Sequence, residues 1–148
     1  MYKRQRFENS KSWYWGTPVI HEDYLFAPSL DGNLYALDIN SGKLLWSSST
    51  EGKVVGTPAV INNFIVISST DKKIRLLKLN DGQQIDICNI GDKIESDIIT
   101  DNDLIFFSTE DSIRSIKIKQ NGNMDEEWDG GHFFKEEQPI SSNRIRSC

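Results

Sequence analysis

The stretch from Gly16 to Trp46 reads GTPVIHEDYLFAPSLDGNLYALDINSGKLLW, and forty residues later the stretch from Gly56 to Asp86 reads GTPAVINNFIVISSTDKKIRLLKLNDGQQID. The two stretches align without a gap. Their shared markers are Gly16, Thr17 and Pro18 against Gly56, Thr57 and Pro58, and Gly42 against Gly82. A third, weaker copy follows at an offset of 39, where Ser108-Thr109 matches Ser69-Thr70. Self-similarity at a fixed period near 40 residues predicts a supersecondary unit that stacks on copies of itself.

Each copy predicts four short β-strands joined by tight turns. Asn, Asp and Gly dominate the turn positions, and they favour the positive φ angles or side-chain hydrogen bonds that tight turns need. The second predicted strand of copy two is apolar on both faces, as expected for a strand between two neighbouring sheets. For copy two the strands are 58–61, 64–69, 74–79 and 83–90, with turns at Asn62-Asn63, Asp71-Lys72-Lys73 and Asp81-Gly82. Four strands per repeat, with no helical periodicity, predict an all-β chain of propeller blades.

The composition disfavours several classes of protein. The 148 residues carry 17 Lys and Arg against 22 Asp and Glu, a net charge of −5, and the basic patch of a nucleic-acid binder is not visible. No apolar run approaches the roughly 20 residues of a membrane-spanning helix. Cys88 and Cys148 are far apart, which disfavours a disulfide scaffold and a thiolate zinc site. We therefore expect no nucleic-acid partner and no membrane span in this chain.

The residues from Ala36 to Trp46 resemble the tryptophan-docking signature of the pyrroloquinoline-quinone (PQQ) enzyme repeat, Ala-x-Asp-x-x-Thr-Gly-Lys-x-x-Trp, with Ser41 in place of Thr. The resemblance covers about residues 13–128 and weakens along the chain. Copy two has Lys78, Gln83 and Asp86 in place of Asp, Lys and Trp, and copy three keeps Gly122 and Trp128 with two extra residues between them. The chain is thus similar to the PQQ-like β-propeller family. It most resembles the non-enzymatic branch, which includes a propeller lipoprotein that assists outer-membrane protein assembly.

The resemblance implies a structural docking motif made of Ala36, Asp38, Gly42, Lys43 and Trp46. By the family pattern, Trp46 packs flat between adjacent blades, and Ala36 is small so that the indole fits. Two roles also follow from the residues themselves. Gly42 suits the positive φ of a hairpin turn, and Asp38 can accept hydrogen bonds from turn amides. We therefore expect these residues to hold blade to blade, and none of them to be catalytic.

The predicted domain organisation is a partial propeller with flanking segments. Residues 1–12 are interpreted as an N-terminal remnant or artefact, 13–130 as three blades (about 13–54, 55–93 and 94–130), and 131–148 as an irregular tail. Closed propellers typically have about 4–8 blades. We therefore expect a fragment of a seven- or eight-bladed propeller whose remaining blades are missing. The basic start MYKRQ is not followed by the apolar core of a signal peptide.

The resemblance to the non-enzymatic branch implies a scaffold without a cofactor that binds a protein partner outside the cytoplasm. The PQQ-dependent dehydrogenases resemble one another in having an adjacent Cys-Cys pair, a calcium-binding acidic set and a catalytic Asp. This chain has no Cys-Cys pair and no acidic set that can be matched to theirs. Two alternatives stay open. The chain could be a fragment of such a dehydrogenase whose catalytic residues lie elsewhere, or the sensor or ligand-binding propeller of a larger receptor.

Several other residues have both a functional and a structural interpretation. Trp13-Tyr14-Trp15 could stack a planar ligand or sugar, or could pack at a blade seam. Asp101-Asn102-Asp103 could begin a calcium loop, but it lacks the Gly and distal Glu of an EF-hand loop, and hairpin turns favour the same residues. His21 and His132 have no suitably spaced partner for a metal or a triad. The acidic runs Asp125-Glu126-Glu127 and Glu136-Glu137 are interpreted as solvated charges. In each case we favour the structural interpretation.

Overall fold

The structure is a computed structural model that describes residues 12–14 and 16–129, with residues 128 and 129 described by their backbone alone. Its strands form three four-stranded antiparallel sheets, each with the strands in chain order. They are β1 (Val19–His21), β2 (Tyr24–Pro28), β3 (Asn33–Asp38), β4 (Leu44–Ser49), β5 (Ala59–Ile61), β6 (Phe64–Ser68), β7 (Lys73–Lys78), β8 (Gln84–Asn89), β9 (Ile99–Asp101), β10 (Leu104–Ser108), β11 (Ile113–Ile118) and β12 (Met124–Asp129). We call β1–β4 blade one, β5–β8 blade two and β9–β12 blade three. The predicted all-β class with four-stranded blades is confirmed, whereas the predicted domain limits stay predictions.

The tight turns repeat at the period of the sequence. The turn between the first two strands of each blade begins with a residue in the left-handed region, namely Glu22, Asn62 and Asn102 at φ 53°, 53° and 55°. The turn between the last two strands contains Gly42 at φ 70° or Gly82 at φ 74° in the first two blades. Glycine adopts this conformation without steric cost. The turn chemistry read from the sequence therefore sets where each strand ends.

Blade two is buried on both of its faces. We call the face that a blade turns toward the following blade its forward face, and the opposite one its rear face. The first seam, between blades one and two, is an apolar cluster that includes Phe26, Ala36, Trp46, Ile65, Ile67 and Leu77. The second seam, between blades two and three, includes Val66, Ile74, Leu76, Ile105, Ile116 and Met124. Residues of β6 and β7 alternate between the two seams, because successive side chains of a strand point to opposite faces.

The pairing of the last two strands gives one position the same place in all three blades. A β-bulge interrupts this pairing in each blade, and the pair directly before it is Ala36 with Trp46, Leu76 with Asp86, or Ser115 with Trp128. The two extra residues of copy three are thus absorbed before Trp128. The backbone of Trp128 therefore occupies the register position of Trp46.

Candidate functional site: the seams between blades

Trp46 lies in the first seam, against the turn of the neighbouring blade. Its side chain is 8% exposed, and its indole Nε1 donates a hydrogen bond to the Leu79 carbonyl at 2.9 Å. Its ring lies 5.8 Å from the Phe26 ring, centroid to centroid. A Cβ atom on Gly82 would overlap the indole, so the absence of a side chain there creates the surface on which the ring rests. The contact joins Trp46 of blade one to Leu79 and Gly82 of blade two.

The other residues of the docking motif shape the turn that precedes Trp46. The Asp38 carboxylate accepts hydrogen bonds from the Asn40 amide at 2.7 Å and the Ser41 amide at 3.0 Å. The Ser41 and Asn40 amides hold the pKa of Asp38 below its ordinary value. Ala36 is buried in the first seam, whereas Lys43 is exposed. The sequence motif thus divides into a turn inside blade one and a contact between blades.

In blade two a carboxylate occupies the position that Trp46 has in blade one. Asp86 Oδ2 accepts a hydrogen bond from the Met124 amide of blade three at 2.9 Å. Ile85 packs at the turn of blade three, where a Cβ on Gly122 would lie 2.5 Å from its Cγ2. In the sequence, Asp86 is recognisable only as a departure from the motif. Its offset of 40 from Trp46 was the signal that could have placed it in the second seam.

The Gly-Thr-Pro markers lie where the blades meet through their first strands. The Thr17 amide donates to Thr57 Oγ1 at 3.2 Å, and the Thr57 amide donates to Asp97 Oδ1 at 2.8 Å. The amide and hydroxyl of Thr57 hold the pKa of Asp97 below its ordinary value. Asp97 was missed by the sequence analysis, although it follows Thr57 by 40 residues. These hydrogen bonds join each blade to the next at the same repeat position.

The glycines of the markers define how closely the blades approach. A Cβ on Gly56 would overlap the Ser96 carbonyl, and one on Gly16 would lie 2.8 Å from the Val55 carbonyl. Both glycines therefore allow a backbone approach that a side chain would block. Pro58 is buried and Pro18 is exposed.

A second repeated contact was not predicted from the sequence. Arg75 Nη2 donates to Asp71 Oδ2 at 2.6 Å, and both side chains are almost fully buried. Burial raises the pKa of Asp71, but the hydrogen bonds from Arg75 and the Glu51 amide outweigh it and leave the pKa below its ordinary value. Tyr35 replaces arginine in blade one, where its hydroxyl donates to Asp31 Oδ2 at 2.6 Å. Burial and this bond to Asp31 raise the pKa of Tyr35.

Blade three departs from this pattern because its second turn is shorter. The closing pair of that turn is Ser68 with Ile74 in blade two but Ser108 with Ile113 in blade three, which leaves one residue fewer between them. Arg114 binds the Ile90 carbonyl at 3.0 Å. A surface cavity of about 500 Å³ beside the turn is lined by Lys93, Glu95, Ser96, Ser108, Thr109 and Glu110.

The described aromatic and histidine candidates make separate local contacts or are exposed. Trp13 is 76% exposed, and Tyr14 makes an edge contact with Tyr35 at a centroid distance of 6.3 Å. His21 Nε2 lies 3.9 Å from the Glu22 carboxylate. Trp15 and His132 lie outside the described residues. The described aromatic residues of this motif therefore divide between solvent and the rear face of blade one.

The acidic candidates have mixed outcomes. Asp101-Asn102-Asp103 spans the turn between β9 and β10, and Asp103 pairs with Lys117 at 3.5 Å. Within the described part of the chain, no group of three or more His, Cys, Asp or Glu side chains is placed to hold a metal ion. The interpretation of Asp125 and Glu126 as solvated is wrong, because Asp125 is buried and pairs with Lys119 while Glu126 lies 3.5 Å from Arg114. Glu136-Glu137 lies outside the described residues.

Cys88 is buried in the second seam and is disulfide-bonded, which the sequence analysis did not predict. Cys148 lies outside the described residues. Between residues 12 and 129, apart from the undescribed Trp15, no helix has the length and apolar character needed to cross a membrane.

Three solved structures share this fold at low sequence identity. BamB from Moraxella catarrhalis has a TM-score of 0.59 and 13% identity, over 78% of this chain and 48% of its own. The computationally designed Ika4 protein has a TM-score of 0.64 and 13% identity, over 85% and 92%. The quinohemoprotein alcohol dehydrogenase ADHIIG from Pseudomonas putida HK5 has a TM-score of 0.67 and 14% identity, over 78% and 20%. The chain thus spans about half of the length of BamB and a fifth of that of the dehydrogenase.

A comparison with curated protein sequences gives no match. The family described as outer membrane protein assembly factor BamB matches residues 4–85, which is more than half of the chain and includes both Trp46 and Gly82. The chain therefore belongs to the BamB family of PQQ-repeat β-propellers.

Proposed function

We propose that this chain is part of a non-catalytic propeller scaffold that binds proteins outside the cytoplasm during outer-membrane protein assembly. The observation that carries the proposal is the family match over residues 4–85. Support comes from the contacts of Trp46, Thr57 and Gly82, which all join neighbouring blades. In this proposal the docking motif and the Gly-Thr-Pro markers hold the blades together, and the exposed parts of the blades bind the partner.

The outer edge of blade one has the properties of a protein-binding surface. β4 is the last strand of its sheet, and Leu44 and Leu45 at its start are 40% and 49% exposed. An edge strand presents backbone donors and acceptors that can pair with an added strand. Two adjacent exposed leucines add apolar contact area beside them. We place the protein partner of the scaffold at this edge.

The proposal is tested in the organism of origin by deleting the gene and complementing it. We expect the deletion to lower the amount of folded outer-membrane β-barrel protein, measured by heat-dependent gel mobility. The wild-type gene and a Gln84→Ser control at the equivalent strand position of blade two should restore it. A Leu44→Ser, Leu45→Ser variant should not. A deletion that leaves the folded barrels unchanged would contradict the proposal.

The dehydrogenase alternative has a separate readout. PQQ, calcium and an alcohol are added to the purified full-length protein with an electron-accepting dye. The scaffold proposal expects no dye reduction above that of a heat-denatured control. Reduction that depends on both PQQ and the alcohol would replace the scaffold by an enzyme.

A further inference from the structure

A two-point contact fastens the segment that joins blades one and two to the second turn of blade two. Lys53 lies in that segment, and Thr70 lies in the turn between β6 and β7. The Lys53 amide donates a hydrogen bond to Thr70 Oγ1 at 2.9 Å, and the Thr70 amide donates to the Lys53 carbonyl at 3.0 Å. Both backbone polar groups of Lys53 are therefore satisfied by one residue of the turn.

The equivalent contact is missing where blade two joins blade three. Lys93 follows Lys53 by 40 residues, and Glu110 takes the turn position of Thr70. The shorter turn closes on itself, because the Thr109 amide donates to the Ser112 carbonyl at 2.8 Å and the Ser112 amide donates to Thr109 Oγ1 at 3.2 Å. Among the described residues, none forms a hydrogen bond with the amide or the carbonyl of Lys93.

The cavity beside this turn lies where the missing contact would be. Its volume of about 500 Å³ falls within the range of ligand-binding pockets. Most of its uncharged polar wall is already paired. Ser96 Oγ donates to the Ser108 carbonyl at 3.1 Å and accepts from the Ser108 amide at 2.9 Å, and the Thr109 hydroxyl is bonded to Ser112. The backbone groups of Lys93 and the charged side chains therefore decide which ligand the cavity suits.

These groups favour a peptide with a cationic side chain. A ligand must offer an acceptor to the Lys93 amide and a donor to its carbonyl, and each residue of an extended peptide carries both. The lining also holds two carboxylates, Glu95 and Glu110, against the one ammonium group of Lys93. This excess of negative charge favours a lysine or arginine side chain, whose hydrogen bonds to a carboxylate are strengthened by charge.

We propose that this cavity binds an extended segment of a partner protein. The backbone of the segment pairs with the amide and carbonyl of Lys93, and its lysine or arginine side chain faces Glu95 and Glu110. The bound segment supplies the two hydrogen bonds that Thr70 supplies in blade two. The inference goes beyond the proposed function, because this cavity lies at the second seam and not at the edge of β4.

The first test titrates three probes into the full 148-residue chain and follows its backbone amides by NMR. The blocked tripeptide acetyl-Ala-Lys-Ala-amide should shift the amide of Lys93 and those of Thr109 and Glu110, while Lys53 and Thr70 stay unchanged. It should bind about fivefold more tightly than acetyl-Ala-Glu-Ala-amide, because the side-chain charge is reversed. It should also bind more tightly than n-butylamine, which has the cation without a peptide group. Equal affinity for the three probes, or no shift at Lys93, would overturn the proposal.

The second test rebuilds the first-seam contact in blade three. Glu110→Thr gives the Lys93 amide an acceptor within the chain, so hydrogen exchange at Lys93 should slow and the lysine peptide should no longer shift that amide. Glu110→Gln keeps the size of the side chain and should weaken the lysine peptide about threefold, with little effect on the glutamate peptide. The control is Glu127→Gln, which removes an exposed carboxylate of β12 that does not line the cavity, and it should match the wild type. Unchanged lysine-peptide binding in Glu110→Thr would refute the site.

Discussion

Trp46 and Asp86 occupy the same register position in successive blades but contact the next blade through different chemistry. The indole of Trp46 fills space above Gly82 and donates to the Leu79 carbonyl. The carboxylate of Asp86 is smaller and accepts from the Met124 amide, while Ile85 fills the space above Gly122. The docking position is therefore defined by its place before the bulge. Its residue type can change when a neighbour supplies the lost volume.

Comparing alanine substitutions at Gly82 and Gly91 separates the contribution of packing at Gly82 from that of its left-handed backbone. Gly82→Ala would place a Cβ in the indole of Trp46 at a φ of 74°, whereas Gly91→Ala meets no atom within 4 Å at a φ of 89°. The left-handed backbone alone costs roughly 1–2 kcal/mol with alanine. We expect Gly82→Ala to lower the free energy of unfolding by about 1–3 kcal/mol more than Gly91→Ala does, because overpacking against the indole adds to the backbone cost. Urea unfolding measures both, and equal losses would show that the indole does not rest on Gly82.

At the scale of the element, the two seams use different hydrogen-bond acceptors at the same repeat position. In the first seam the acceptor for the Thr17 amide is the hydroxyl of Thr57. In the second seam the acceptor for the Thr57 amide is the carboxylate of Asp97. A hydroxyl of this kind does not titrate in the range where a carboxylate does. The second seam is therefore the one whose stability at this position depends on pH.

The direction of that dependence follows from the lowered pKa of Asp97. A carboxyl group with a lower pKa in the folded state stabilises the fold above its ordinary pKa of 3.8, and this stabilisation is lost as the pH falls through the folded value. Asp97→Asn should therefore be less stable than the wild type at pH 7, and the difference should shrink below about pH 3.8. Urea unfolding between pH 7 and pH 3 measures it.

Glu95→Gln provides the control for this series, because it removes an exposed carboxylate from the same loop. Its stability should stay close to that of the wild type at every pH. A difference between wild type and Asp97→Asn that does not change with pH would contradict the assigned role of the carboxylate.

The repeat itself offers a replacement for the buried ion pair of the first seam. Arg75→Ala would leave the buried Asp71 carboxylate without its cation and should cost about 3–5 kcal/mol. Arg75→Tyr should cost only about 1 kcal/mol, because Tyr35 makes the same contact to Asp31 in blade one. Thermal and urea unfolding compare the two variants. If tyrosine proved as costly as alanine, the two turn contacts would not be interchangeable.

The sequence predicted these elements well because turns and strands are locally encoded. Gly42, Asn62 and Gly82 mark their turns, and the strand ends lie within one residue of prediction in blade two. The contacts between blades were harder to predict. Asp97 and Asp86 are ordinary polar residues whose role appears only when equivalent positions of two blades are placed side by side. Periodicity gives that equivalence but does not say which atoms meet.

At the scale of the whole molecule, the two apolar seams of the described residues each join blades that are neighbours in the chain. Blade two contributes residues to both seams, whereas blades one and three each contribute to one. In such quasi-one-dimensional arrays, stability is approximately the sum of the intrinsic stability of each unit and the contacts between neighbours. The middle unit should therefore be the last to open.

Hydrogen exchange measured by mass spectrometry tests this order. We expect the slowest exchange in β6 and β7, because their side chains are buried on both sides. Exchange should be faster in β2 and β3 and in β10 and β11. Uniform protection of all three blades would instead indicate one cooperative unit.

The hydrogen bonds from Thr17 to Thr57 and from Thr57 to Asp97 all run the same way, from an amide to a side-chain oxygen of the following blade. The array therefore has a polarity, because each junction pairs an amide donor of one blade with a side-chain acceptor of the blade that follows. In a designed chain that carries the middle blade twice, the Thr57 amide of the first copy would face the Thr57 hydroxyl of the second copy at the new junction. A tandem duplication of the middle blade would therefore retain this donor and acceptor pairing at the junction that it creates.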